Sequence, residues 1–171
     1  PLRFFASAVG DFSVTRLEDG LIEMDFPEQA PAPITSVPTE LLNGLSIQPS
    51  EVLRNRQAYF AVYAKQSDVE GVQTDLEMLK RLAPYDVVVT ASGRHHDFVS
   101  RYFWPANGGA EDPVTGSIHT GLAPFWSHCL GKTTLLAQQL SQRTGLLHCR
   151  VEGGRVRIAG HCVRYLEGWI E

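Results

Sequence analysis

The chain has 171 residues, 43% of them hydrophobic and 20% charged, enough for a sizeable core in one domain or two small ones. Fifteen Lys and Arg against nineteen Asp and Glu leave a net charge of −4, which argues against non-specific nucleic-acid binding or an anionic membrane surface as the main role. No apolar run approaches the roughly 18 residues needed to span a bilayer, and the opening PLRFFASAVG, with one basic residue, does not read as a signal peptide.

The first 26 residues read as strands. LRFFASA and DFSVTRL are joined at Val9-Gly10, and EDG at 18–20 turns the chain into LIEMDF. PEQAPAPITSVPTE follows with four prolines in fourteen residues, an extended crossing or linker, because proline fixes φ and removes a donor. TELLNGL reads as a short helix and QAYFAVYA, 57–64, as a strand. Thr74 with Glu77 predicts a capping box for a helix over LEMLKRLA, which Pro84 ends. DVVVTA, 86–91, reads as a buried strand, and HDFVSRYFWP, 96–105, as another. GSIHTGLAPFWSHCLG has near-helical apolar spacing with a stop at Gly131, while TTLLAQQLS is ambiguous between helix and strand. GLLHCRV, the EGG turn and RVRIAGHCVRYLEGWIE finish the chain as strands. The expected fold class is α+β, mostly short antiparallel strands with two or three helices and no βαβ rhythm.

The chemistry concentrates in EDPVTGSIHT, 111–120. Pro113 restricts Asp112 to extended geometry, Gly116 is free to take positive φ, and Ser117 or Thr115 can cap the helix that follows. Unpaired N–H groups in the first turn, hydroxyl donors and the positive dipole end together make an anion cradle. It would hold a carboxylate, a phosphate or an enolate-like oxygen. Asp112 at its mouth can hydrogen-bond a ligand amine or hydroxyl, or move a proton. The competing reading is that Asp112 and Ser117 merely cap a helix.

Other candidates carry less. His95 and His96 are adjacent and cannot both face one metal from a regular strand, so no metal site is expected. His119 fits a core or surface role better than a place in the cleft. LGKTT lacks the first glycine of a P-loop. Arg101, in an apolar strand, is expected to pair with an acid such as Glu111. Cys129, Cys149 and Cys162, odd in number and widely spaced, are expected as buried or half-buried free thiols in a reducing cytoplasm.

DFVSRYFWPANGGAEDPVTGSIHTGLAPFWSHCLGK, then QLSQRTG and GRVRIAGHCVRYLEGWIE, closely resembles the C-terminal half of the PhzF-like isomerase family of phenazine biosynthesis, a relative of diaminopimelate epimerase. RFFASAVGDFSVTRLEDGLIEMDFP resembles the family's mid-chain stretch. The resemblance implies two lobes, each a β-barrel-like sheet wrapped around a central helix, with the active site between them. It implies isomerisation or epimerisation of a small carboxylated metabolite by proton transfer, without cofactor or metal. Asp112 would contact the ligand and take part in proton transfer, and Thr115, Gly116 and Ser117 would belong to the binding site, the Gly-Ser pair on an acidic group. The family's N-terminal half, with its catalytic Glu and a Cys-Gly-His-type segment, has no counterpart in this sequence. That half is left out, is a separate chain, or is naturally missing. The resemblance further implies that 25–160 is the second lobe, while 1–24 and 161–171 are remnants of the first. Such remnants would expose edge strands and invite a homodimer or association with the missing lobe. The alternative function is a non-catalytic member that binds a ligand or a protein partner.

Overall fold

The computed structural model describes residues 1–7 and 10–169. In chain order it contains β1 (Leu2–Ala6), β2 (Gly10–Arg16), β3 (Ile22–Pro27), β4 (Ala32–Pro33), α1 (Thr39–Asn43), β5 (Glu51–Arg54), β6 (Ala58–Val62), α2 (Gln66–Gly71), α3 (Leu76–Lys80), β7 (Asp86–Ser92), β8 (Phe98–Phe103), a 3-10 turn (Pro105–Asn107), β9 (Glu111–Asp112), α4 (His119–Leu130), β10 (Thr134–Gln139), β11 (Gly145–Glu152) and β12 (Arg155–Gly160). The strands form one sheet in the order β1-β2-β3-β12-β11-β10-β8-β7-β6-β5-β4, with β9 paired to β8. The α+β class holds. The turn expected at Val9-Gly10 lies in part outside the described residues.

The sheet curls around α4. Ile118, Leu122, Ala123 and Trp126 share one core with Leu53, Phe60, Val88, Phe98, Leu135, Leu147 and Ile158, which come from seven different strands. Alternate residues of the central strands point the other way. Tyr59, Val87, Val89, Val99 and Phe103 pack with Leu41, Val69 and Leu79 of α1 to α3 in a second core. Burial on both faces explains why DVVVTA is an unbroken apolar run rather than an alternating one. α4 lies close against its neighbours at Gly121, where a Cβ would sit 2.7 Å from Phe60 Cζ. Pro124 lies inside α4 and cannot donate to Thr120 O four residues earlier. That carbonyl instead accepts from Gln29 N–H at 3.0 Å, which ties the proline-rich crossing to the helix.

Four expectations change. Most pairings are antiparallel as expected, but a βαβ rhythm is present: β6 and β7 run parallel across α2 and α3, and β8 and β10 run parallel across α4. The βαβ rhythm was hidden because α2 and α3 are six and five residues long, too short to print a helical period. The cap of α3 is Asp75, whose carboxylate accepts from Glu77 N and Met78 N, because Thr74 is committed to a bridge with Leu45. Residues 161–169 form no strand: the pairing of β12 with β3 ends at Gly160 and Ile22 and that with β11 at Ala159 and His148, and among the described residues no strand pairs with its continuation. Residues 170 and 171 lie outside the described residues. Finally, Cys129 and Cys162 are exposed and only Cys149 is buried.

Candidate functional site

The site is built where β7, β8, β9 and the head of α4 meet. Asp112 in β9 pairs with Tyr102 in β8. Arg101 anchors this pairing: its guanidinium donates to both carboxylate oxygens of Glu111 at 2.8 and 3.0 Å and to Val72 O at 3.0 Å. The expected Arg101–Glu111 pair is therefore present, in a structural role. After β9 the chain bends, and buried Gln139 of β10 grips the bend. Its amide nitrogen donates to Asp112 O at 2.7 Å and its oxygen accepts from Thr115 N at 2.8 Å. Ser141 Oγ donates to Pro113 O at 2.7 Å. Thr115 Oγ1 donates to Asp112 Oδ2. The other carboxylate oxygen of Asp112 has no partner among the described residues.

The bend then enters α4 without a side-chain cap. His119 N bonds Gly116 O and Thr120 N bonds Ser117 O, while the amides of Gly116, Ser117 and Ile118 find no acceptor among the described residues. These are the orphan donors of a helix start, at the end where the dipole carries positive charge. The expected capping by Thr115 or Ser117 does not occur, because both hydroxyls are engaged elsewhere. Thr115 turns to Asp112, and Ser117 Oγ accepts from Gln57 Nε2 at 3.0 Å. Gly116 does not use positive φ. What a side chain there would meet is Met24 Cε, 3.3 Å from an added Cβ.

Ser117 is exposed and borders two depressions. One, of about 250 Å³, is lined by Asp86, Tyr102, Trp104, Asp112, Thr115 and Ser117. The other, of about 80 Å³, is lined by Phe26, Pro27, Gln29, Arg56, Gln57, Ser117 and Thr120. Asp112, Thr115 and Ser117 thus come together on one cleft, and Gly116 does not line it. The surroundings are polarised, with carboxylates on one side of Ser117 and Arg56 on the other. Gln29 Oε1 accepts from Arg56 Nε at 2.6 Å, and the two terminal nitrogens of Arg56 have no acceptor among the described residues.

Sequence reasoning missed Asp86, Tyr102, Gln57 and Arg56. Buried Asp86 accepts from the Tyr102 hydroxyl and from Asn107 Nδ2, at 2.8 Å for the latter. Burial, then the bond to Asp86, pushes the Tyr102 hydroxyl well above its ordinary value, so it keeps its proton. One signal was available: Asp86 is a charge at the head of the otherwise apolar run DVVVTA. His119 is fully buried, with Nδ1 2.7 Å from Thr115 O, and takes no place in the cleft.

The family model "phenazine biosynthesis-like protein", PhzC-PhzF, matches residues 9–168. Two Pseudomonas aeruginosa proteins, each named an uncharacterized isomerase, are 43% and 44% identical over 97% and 98% of this chain. A crystal structure of a PhzF-family phenazine biosynthesis protein from Enterococcus faecalis aligns over 94% of the chain with a TM-score of 0.84 and 38% identity. The chain spans 63% and 64% of the two Pseudomonas proteins and 60% of the Enterococcus chain. By sequence and by fold, the chain belongs to the PhzC-PhzF family of phenazine biosynthesis-like proteins.

Proposed function

We propose that this chain is the ligand-holding part of a cofactor-independent isomerase or epimerase that moves a proton on a small carboxylated metabolite. Asp112 faces a hydroxyl or amine of the ligand with its unpartnered oxygen and takes part in the proton transfer. The amides at 116–118 and the Ser117 hydroxyl hold the carboxylate, and the partnering acid or base comes from the lobe that residues 25–160 face. The proposal rests on one observation above all: three consecutive unpaired amides open the helix beside a carboxylate that lines the adjoining cleft. Charged-group hydrogen bonds of this kind contribute roughly 1.5–3 kcal/mol each when shielded from water. Among the described residues no helix is long and apolar enough to cross a membrane. Three unpaired thiols suit a reducing compartment, and the reading places the protein in the cytoplasm.

The test is a titration of the amide resonances with succinate. Gly116, Ser117 and Ile118 are expected to move together and saturably, and Ser117→Ala is expected to weaken binding about 3- to 10-fold by removing one donor. Unmoved amides at 116–118 would sink the proposal.

Partner association belongs to the same reading. Edge strand β1 exposes Leu2, Phe4 and Phe5, and the segment 161–169 exposes Val163, Tyr165, Leu166 and Trp169. Phe4 stacks on Phe12 at 5.3 Å and Phe12 on Phe26 at 5.2 Å, so the strands beneath the patch are firmly joined. Exposed apolar side chains on an edge strand and on a terminal segment are covered by a second copy or by the complementary lobe. Light scattering is expected to show a mass above one chain that rises with concentration, or a stable complex with the N-terminal part of a full-length relative. A one-chain mass under both conditions overturns the association.

A further inference from the structure

We infer that Asp86, Tyr102 and Gln57 are positioning residues that hold the Ser117 hydroxyl as a hydrogen-bond donor to the bound anion. The inference rests on the reading of the bend as an anion site. The argument is one of donor and acceptor direction. A carboxylate only accepts, so the Tyr102 hydroxyl must spend its proton on Asp86 Oδ2, and Asn107 Nδ2 fills Oδ1. Tyr102 Oη is then left as an acceptor and needs a donor. Gln57 Nε2 supplies one at 2.9 Å. The second hydrogen of the same amide group goes to Ser117 Oγ at 3.0 Å. Ser117 Oγ has thereby accepted, and its own proton has no acceptor among the described residues.

Turning the Gln57 amide over would break its link to Tyr102 and reverse its link to Ser117. Its oxygen would face Tyr102 Oη with no proton between them, and it would claim the Ser117 proton for itself. The buried carboxylate therefore fixes the direction of the whole chain of bonds, and that chain ends on an exposed hydroxyl beside the unpaired amides. Backbone pairing makes the arrangement stiff. Ala58 pairs with Asp86 between β6 and β7, Asp86 N donates to Gln57 O at 3.1 Å, and Val88 pairs with Tyr102 between β7 and β8. Three adjacent strands thus deliver the three side chains to one end of the sheet. A network serving stability alone has no need to end on a solvent-facing hydroxyl. This one leaves that hydroxyl a free proton where an anion would collect it.

The test is a mutant cycle on the 171-residue chain, read by the succinate titration of amides 116–118. Gln57→Ala and Tyr102→Phe are expected to weaken succinate binding about 3- to 10-fold, the scale of one misdirected hydrogen bond. In the Ser117→Ala background neither is expected to weaken it further, because the residue they act through is gone. Equal weakening in both backgrounds, or none in either, overturns the relay while leaving the cradle intact. Amides that stay unmoved in the parent chain overturn the cradle, and the relay falls with it. A second measurement needs no variant: the Gln57 side-chain amide protons must show cross-relaxation to both the Tyr102 ring and the Ser117 β-protons. Absence of either contact also overturns the relay.

Discussion

If Asp112 moves the proton as proposed, Asp112→Asn is expected to lower turnover of a full-length protein carrying this chain by roughly 10²- to 10⁴-fold, the scale of a lost general acid or base. Its folding stability is expected to change little. The asymmetry of the carboxylate is the reason. Oδ2 accepts from Thr115 Oγ1, whereas Oδ1 has no partner among the described residues and belongs to a side chain lining the cleft. An Asn side chain can keep the Thr115 bond through its own oxygen, so the bend stays where Gln139 and Ser141 pin it. The atom left facing the ligand is then an amide nitrogen, which donates where the carboxylate accepted and cannot carry a proton across. The measurement is hydrogen exchange in D₂O at the carbon next to the ligand carboxylate, with thermal unfolding as the control. Turnover within threefold of the parent would remove Asp112 from the chemistry.

The residues of the bend were legible because their meaning is local. Proline before a turn, small polar residues and a helix start within seven positions predict a polar bend, and Asp112, Thr115 and Ser117, though not Gly116, line one depression there. The Arg101–Glu111 pair was legible for a similar reason: a guanidinium in an apolar strand must find an acid nearby. The helix stop at Gly131, with φ of 64°, follows from glycine's tolerance of the left-handed region.

What failed was decided by distant neighbours. Ser117 looks like a cap in sequence, but Gln57, sixty residues earlier, competes for its oxygen and wins. Thr74 looks like a cap, but its backbone is drawn into a bridge with Leu45 and the role passes to Asp75. Residues 161–169 carry a strand pattern, yet a strand exists only with a partner, and the pairings of β12 with β3 and β11 stop at Gly160 and Ala159. Gln57, Tyr102 and Asp86 look ordinary in isolation. They become a unit through the parallel pairing of β6 with β7, which no local pattern encodes.

The second large effect is acid sensitivity set by His119. Burial, partly countered by the hydrogen bond to Thr115 O, lowers its folded pKa to about 4. Because a carbonyl only accepts, Nδ1 carries the hydrogen of the neutral ring. Nε2 is then a bare acceptor, fully buried and without a partner among the described residues. Protonating it would create a charged donor among Phe98 and the core aromatics with nothing to receive it. In the unfolded chain the same ring titrates near 6.5. The sign follows: between 6.5 and about 4 the unfolded state binds the extra proton, so stability is full above 6.5 and is lost as the pH falls towards 4. The expected loss is about 3 kcal/mol. Asp97 also contributes, but lower on the scale. Burial alone would raise its pKa, yet Lys132 and the Leu136 amide together hold it below the ordinary carboxylate value. Urea unfolding at intervals from pH 7 to 4.5 therefore isolates the histidine. In His119→Asn the side-chain amide can donate to Thr115 O in place of Nδ1 but does not titrate, so its stability, although lower overall, is expected to stay flat across that window. Parallel decline of parent and variant would show that another group carries the sensitivity. A flat variant would tie the acid limit of the fold to the side chain that anchors the Thr115 carbonyl, and through it the bend beside Asp112.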